Sequence, residues 1–95
     1  MADTFLLEVA TPERMLVREH VSEAQIPAKD GYVGILPGHA ALLSELGAGV
    51  LSYPTEGGRR SVRIEGGWLE VSNDHVRVLA TSAEAVGESV TPPGS

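Results

Sequence analysis

Short runs in which apolar and polar residues alternate, each closed within a few positions by glycine, proline, asparagine or aspartate, constrain this chain more than any other feature. Side chains of a strand point in turn to its two faces, so a period of two marks a half-buried strand. Phe5, Leu7 and Val9 alternate with Leu6, Glu8 and Ala10, which puts an apolar row on one face before Thr11-Pro12-Glu13 breaks the run. Met15-Leu16-Val17 begins a second strand. Arg18 to His20 leads into a third run through Val21, Ala24 and Ile26 that stops at Pro27, and Lys29-Asp30-Gly31 is a turn cluster.

The clearest hairpins lie in the second half. Val50 to Tyr53 is followed by Pro54-Thr55-Glu56-Gly57-Gly58 and then by Ser61-Val62-Arg63-Ile64-Glu65, where Val62 and Ile64 face one way and Ser61, Arg63 and Glu65 the other. Gly66-Gly67 turns the chain again into Trp68-Leu69-Glu70-Val71-Ser72. The same glycines, lacking β-carbons, also suit a close approach by another backbone or a partner helix, and both readings stand. Asn73-Asp74 reads as a tight two-residue connection, because both residues tolerate positive φ. The return strand is His75 to Ala80, with Val76 and Val78 on the same side as Leu69 and Val71.

Ala40 to Leu46 stays open at this level. Leu42 and Leu46 are spaced as on a helix that Gly47 ends, while Leu42-Leu43 followed by Gly47 and Gly49 equally fits a short strand buried on both faces. From Ser82 the alternation is lost, and Thr91-Pro92-Pro93-Gly94-Ser95 resists both helix and ladder, so a flexible tail is expected over residues 86–95 after a domain over 1–85. Many short strands with turns between them give a β-sandwich or a small barrel.

The charge balance narrows the function classes. Thirteen acidic residues against seven basic ones leave a formal charge of −6, which disfavours nucleic acid and anionic lipid and suits a basic protein partner. The absence of cysteine excludes disulfides and thiolate metal sites. Met1-Ala2-Asp3-Thr4 lacks the basic stretch and apolar run of a signal peptide. No segment approaches the ~20 apolar residues a spanning helix needs. The expectation is a soluble domain with no direct membrane insertion, whose membrane association runs through another protein.

Chemistry has little to stand on. His20, His39 and His75 have no metal-like spacing; His20 and His75 are expected to be solvated, and His39, after Leu36-Pro37-Gly38, is assigned a structural or interface role. Glu65 and Glu70 flank Gly66-Gly67 but occupy positions expected to face water. No serine lies in a Gly-x-Ser-x-Gly turn, and Gly31-Tyr32-Val33-Gly34 lacks the Lys and Ser/Thr that complete a phosphate loop. Gly31 and Gly34 are read as supplying unusual φ around a bulge that lets Tyr32 project outward. No catalytic residue, cofactor or metal site is expected, and the chain is taken as a non-enzyme.

The stretch Gly31-Tyr32-Val33-Gly34-Ile35-Leu36-Pro37-Gly38-His39-Ala40-Ala41-Leu42-Leu43 resembles a segment of the F-type ATP synthase epsilon subunit family: Gly-x-x-Gly, an apolar pair, Pro-Gly-His-Ala and a leucine pair. Gly66-Gly67-Trp68-Leu69-Glu70-Val71 and Val76-Arg77-Val78-Leu79-Ala80 follow in that family's order and spacing, and Phe5 to Glu13 looks like its start, so the likeness covers Asp3 to about Ala85. It implies the family's N-terminal domain, all-β, a β-sandwich of two antiparallel sheets with roughly eight to ten short strands, and a strand over Ala40–Leu46. It also implies a central-stalk rotor role linking the gamma subunit to the membrane c ring of a proton-translocating synthase, at the cytoplasmic face of a bacterial membrane. Carried over by position, Asp30, Gly31 and Tyr32 face the c ring, and His39, Leu42 and Ser44 face gamma, although Leu42 serves the core equally well. The isolated domain is expected to be monomeric.

Two departures qualify the likeness. Ala41 stands where the family often has proline, and the C-terminal helical hairpin that restrains hydrolysis in this family is not expected within these 95 residues. The rival reading is an unrelated β-sandwich that binds a peptide or another protein.

Overall fold

A computed structural model describes residues 3–88 of the chain. Eight strands follow in order: β1 Phe5–Ala10, β2 Met15–Val21, β3 Ala24–Ala28, β4 Gly31–Ile35, β5 Leu42–Glu45, β6 Ala48–Thr55, β7 Gly58–Ser72 and β8 His75–Glu88. The ladder runs β2-β1-β8-β7-β6-β3-β4, with β5 joined to β7 off that path. Every pairing is antiparallel except β1 with β8, which is parallel.

β7 and β8 are long because they belong to both layers of the sandwich. The second half of β7 pairs with β5, from Leu42↔Val71 to Glu45↔Trp68, and its first half pairs with β6, from Ala48↔Glu65 to Thr55↔Gly58. β8 follows β7 through both halves and takes β1 only along His75 to Leu79. One layer is therefore β2-β1-β8-β7-β5 and the other β8-β7-β6-β3-β4. The chain passes between them at Gly66-Gly67, where φ is 71° and 113°.

That corner corrects one expectation. Gly66-Gly67 does not reverse the chain; it bends a single strand, and the backbone that approaches it is the neighbouring β8. A β-carbon on Gly67 would collide with the Leu79 carbonyl oxygen. The corner is also tied to the β5–β6 connection, since the Leu46 amide donates to the Gly67 carbonyl at 2.9 Å and the Gly66 amide to the Gly47 carbonyl at 3.2 Å.

The period-two reading of the core holds. Phe5, Leu7 and Val9 of β1, Leu69 and Val71 of β7, and Val76 and Val78 of β8 are all buried, and Leu69 lies opposite Val78 as Val71 does opposite Val76. From the other layer Ile26, Ile35, Leu51, Val62 and Ile64 meet them. Tyr53 is fully buried among these, and its hydroxyl reaches the Glu19 carboxylate at 3.2 Å. Burial, and then the Glu19 charge, push that phenol above its ordinary range. Arg60 joins Glu19 at 3.3 Å and Arg59 joins Glu23 at 2.6 Å, so charged links from β7 of one layer reach β2 of the other and the loop after it.

Other boundaries moved. Arg18 to Val21 belong to β2, and the turn after β6 narrows to Glu56-Gly57, with Pro54 kept inside the strand opposite Arg59. The β3–β4 ladder runs without a register shift, so there is no bulge there. Gly31 has φ 129°, whereas Gly34 continues the strand opposite Gln25. β8 continues past Ala80 to Glu88; of the tail expected over 86–95, residues 86–88 stand in β8 and 89–95 lie outside the described residues. Asn73 and Asp74 take φ 52° and 58°, the two-residue turn read from the sequence.

Candidate docking surface

The open segment Ala40–Leu46 resolves as strand β5 over Leu42–Glu45, at the outer edge of its layer. Period two then sorts its side chains. Leu42 and Ser44 share the inner face, and Leu42 is half-buried against the core, while Leu43 points out and is 70% exposed. Ser44 turns its hydroxyl onto the Glu45 carbonyl at 3.1 Å. Ahead of β5, the loop over 36–41 is ordered by its own bonds. The His39 amide donates to the Leu36 carbonyl at 3.1 Å, and the half-buried His39 ring places Nδ1 2.7 Å from the Ala40 carbonyl oxygen. Nδ1 is thereby the protonated nitrogen, since a carbonyl only accepts.

Asp30, Gly31 and Tyr32 sit at the β3–β4 turn, and all three are exposed. Tyr32 is 58% exposed but not free: its ring lies across β3, and its hydroxyl accepts the Val50 amide of β6 at 2.8 Å. The Pro27 carbonyl of β3 accepts the Gly47 amide at 2.9 Å, and the tyrosine hydroxyl supplies the acceptor for the Val50 amide. Gly49 makes room for it, because a β-carbon there would meet the Tyr32 hydroxyl oxygen at 2.5 Å.

The two candidate groups are stitched together. The Lys29 amide donates to the Glu45 carbonyl at 3.0 Å, and Ala28 bridges to Leu46, so the β3–β4 turn rests against the end of β5. His39, Leu42 and Ser44 lead into or along that same strand. The sequence missed two further features. Leu36 and Leu43, 62% and 70% exposed, flank the loop; Leu43 is deducible once Leu42 is put inside. Trp68 and Leu79 stand opposite each other on the outer face, 51% and 48% exposed, along a groove of about 560 Å³ with Ala10, Pro12 and Thr81. An apolar residue at an outward position in both partner strands is the signal that would have found them.

The rest of that outer face is charged. Glu8, with a side chain only 13% exposed, lies 2.6 Å from His75 Nε2 and 3.0 Å from Arg18 Nε. The His75 hydrogen bond and charge, with those of Arg18, hold the Glu8 carboxyl below its ordinary value against the opposing effect of burial. His75 is thus a hydrogen-bond partner of Glu8, where the sequence suggested a solvated ring. His20, Glu65 and Glu70 are exposed as expected. Among the described residues no group of three His, Cys, Asp or Glu could hold a metal ion, and no helix is long and apolar enough to cross a membrane.

Comparison with known proteins then decides the family. Residues 4–86 match the model described as ATP synthase, Delta/Epsilon chain, beta-sandwich domain. The chain belongs to the ATP synthase delta/epsilon family. The ATP synthase epsilon chain of Solibacter usitatus is 59% identical over 88 residues, covering 93% of this chain and 66% of the relative. That of Koribacter versatilis is 45% identical over 84 residues, covering 88% and 59%. The chain therefore spans about two thirds or less of these relatives' length. Among solved structures, a chain of the Euglena gracilis mitochondrial ATP synthase (OSCP/F1/c-ring) superposes with a TM-score of 0.81 at 24% identity, covering 90% of this chain and 55% of that one. A chain of the Tetrahymena thermophila mitochondrial ATP synthase (central stalk/c-ring) gives 0.69 at 15%, covering 82% and 63%. These likenesses show that the fold is shared at low sequence identity.

Proposed function

We propose that this delta/epsilon domain is a non-catalytic part of the central stalk of a proton-translocating ATP synthase, tying the gamma subunit to the membrane c ring so that both turn together. The observation that carries the proposal is the family match over residues 4–86, extended by relatives called ATP synthase epsilon chain. The domain acts mechanically, with no cofactor, and sits at the cytoplasmic face of a bacterial membrane by way of the complex. In this reading Asp30, Gly31 and Tyr32 meet the c ring. His39, Leu42 and Ser44, with Leu43 beside them, form the gamma side.

The geometry supports such contacts. A half-exposed tyrosine fixed at its hydroxyl loses little freedom on binding, and an exposed leucine on a short edge strand suits an anchor. A stable interface takes roughly 800 Å² from each partner, a substantial share of the 5615 Å² this chain exposes. The test is binding of the chain to the gamma subunit encoded with it, without nucleotide, at low and moderate salt. Retention at micromolar concentration in both is expected; no retention in either overturns the proposal.

A further inference from the structure

The loop before β5 is fastened to a part of the chain remote in sequence. The Gly38 amide donates to Asp74 Oδ1 at 2.6 Å, across a separation of 36 residues. A donor held by a carboxylate makes a charge-assisted bond, shorter and stronger than a neutral one. We infer that Asp74 is a positioning residue that holds the Pro37-Gly38-His39 loop in the conformation that meets gamma, an inference that rests on the docking reading above.

Three observations make Asp74 the fixed end of this tether. It is the second residue of the β7–β8 turn, with φ 58°, and the pair Ser72↔His75 closes that turn behind it. Its own carbonyl accepts the Leu6 amide at 3.0 Å, so its backbone is pinned to β1 as well. On the other side, Gly38 has φ 84°, a conformation that glycine adopts freely, and the next amide, of His39, is already committed to Leu36. The scaffold thus grips the loop at the residue before His39. The sequence could not show this, because Asp74 already had a complete explanation as a turn residue and its side chain needed no partner.

Binding that selects one loop conformation is weakened when the free loop samples others. Asp74→Gly is the clean probe: placing glycine after Asn73 keeps the positive φ and gives a favoured two-residue turn, so the hairpin is retained while the carboxylate is lost. Asp74→Asn keeps a neutral acceptor at the same place. The experiment reads amide hydrogen exchange at Gly38 in the free chain, and dissociation from immobilised gamma. Expected are faster Gly38 exchange and, by the strength of one solvent-exposed hydrogen bond, about three- to tenfold weaker gamma binding in Asp74→Gly. Asp74→Asn should recover much of both. Unchanged Gly38 exchange in Asp74→Gly would show that the tether does not hold the loop. Faster exchange with unaltered binding would show that gamma does not need it. Failure of the unsubstituted chain to bind gamma would sink the docking reading, and Gly38 exchange would still decide whether the tether exists.

Discussion

Among the described glycines, Gly67 is the one where an added β-carbon would come nearest to another atom. An alanine there must adopt φ 113° and place its β-carbon against the Leu79 carbonyl and 2.9 Å from the Ala80 α-carbon, both of them backbone. Nothing nearby can rotate away, so β8 has to move. Gly67→Ala is expected to cost about 3 kcal/mol or more, from strain and overpacking together, and chemical denaturation measures it; an unchanged midpoint would mean that the corner has slack. Tyr32 allows a milder test. Tyr32→Phe removes only the acceptor for the Val50 amide, and a lost hydrogen bond of this kind costs about 0.5–1.5 kcal/mol. Equal stability of the variant would show that water serves Val50 as well. The sequence marked both residues and explained neither fully. A glycine pair signals a turn more often than a bend within a strand, and no local pattern reveals that the Val50 amide of β6 takes the Tyr32 hydroxyl as its acceptor.

At the scale of elements, alternation was legible wherever a strand has one wet face, as in β1, the two halves of β7 and the start of β8. It failed where other forces set the length. β8 runs on to Glu88 because β7 continues beside it, although beyond Ala80 only Ala83, among the described residues, packs against the core. β5 stayed open because four residues are too few for either period to show. The pairing of β1 with β8 was equally invisible, since parallel partners carry no turn between them. The outer face of that pair carries its own prediction. Glu8 bonds His75 and Arg18, and its carboxyl lies below the ordinary glutamate value of 4.5 in the folded chain. A depressed carboxyl contributes stability that is complete above the unfolded value and is lost as pH falls through the folded one. Glu8→Gln should therefore flatten the decline in stability below about pH 4.5, read as thermal midpoints across an acid series; an acid limb as steep as before would remove Glu8 from that role.

For the molecule as a whole, the core is one cluster fed by both layers, and domains of this size hold only about 5–15 kcal/mol in reserve. Leu69 is fully buried in that cluster. Leu69→Ala is expected to cost about 2–5 kcal/mol, with the amides of both layers losing protection together in hydrogen exchange; loss confined to one layer would mean that the two open separately. They are not expected to, because no seam divides them. Both strands of the β7–β8 hairpin run on through the corner, so a load applied to one face travels into the other along their peptide bonds, with the pairs Glu65↔Ser82 and Gly67↔Ala80 on either side of the bend. Two sheets held only by side chains can slip like stacked plates; a folded ribbon has to bend or tear, and this one resists shear in its covalent chain.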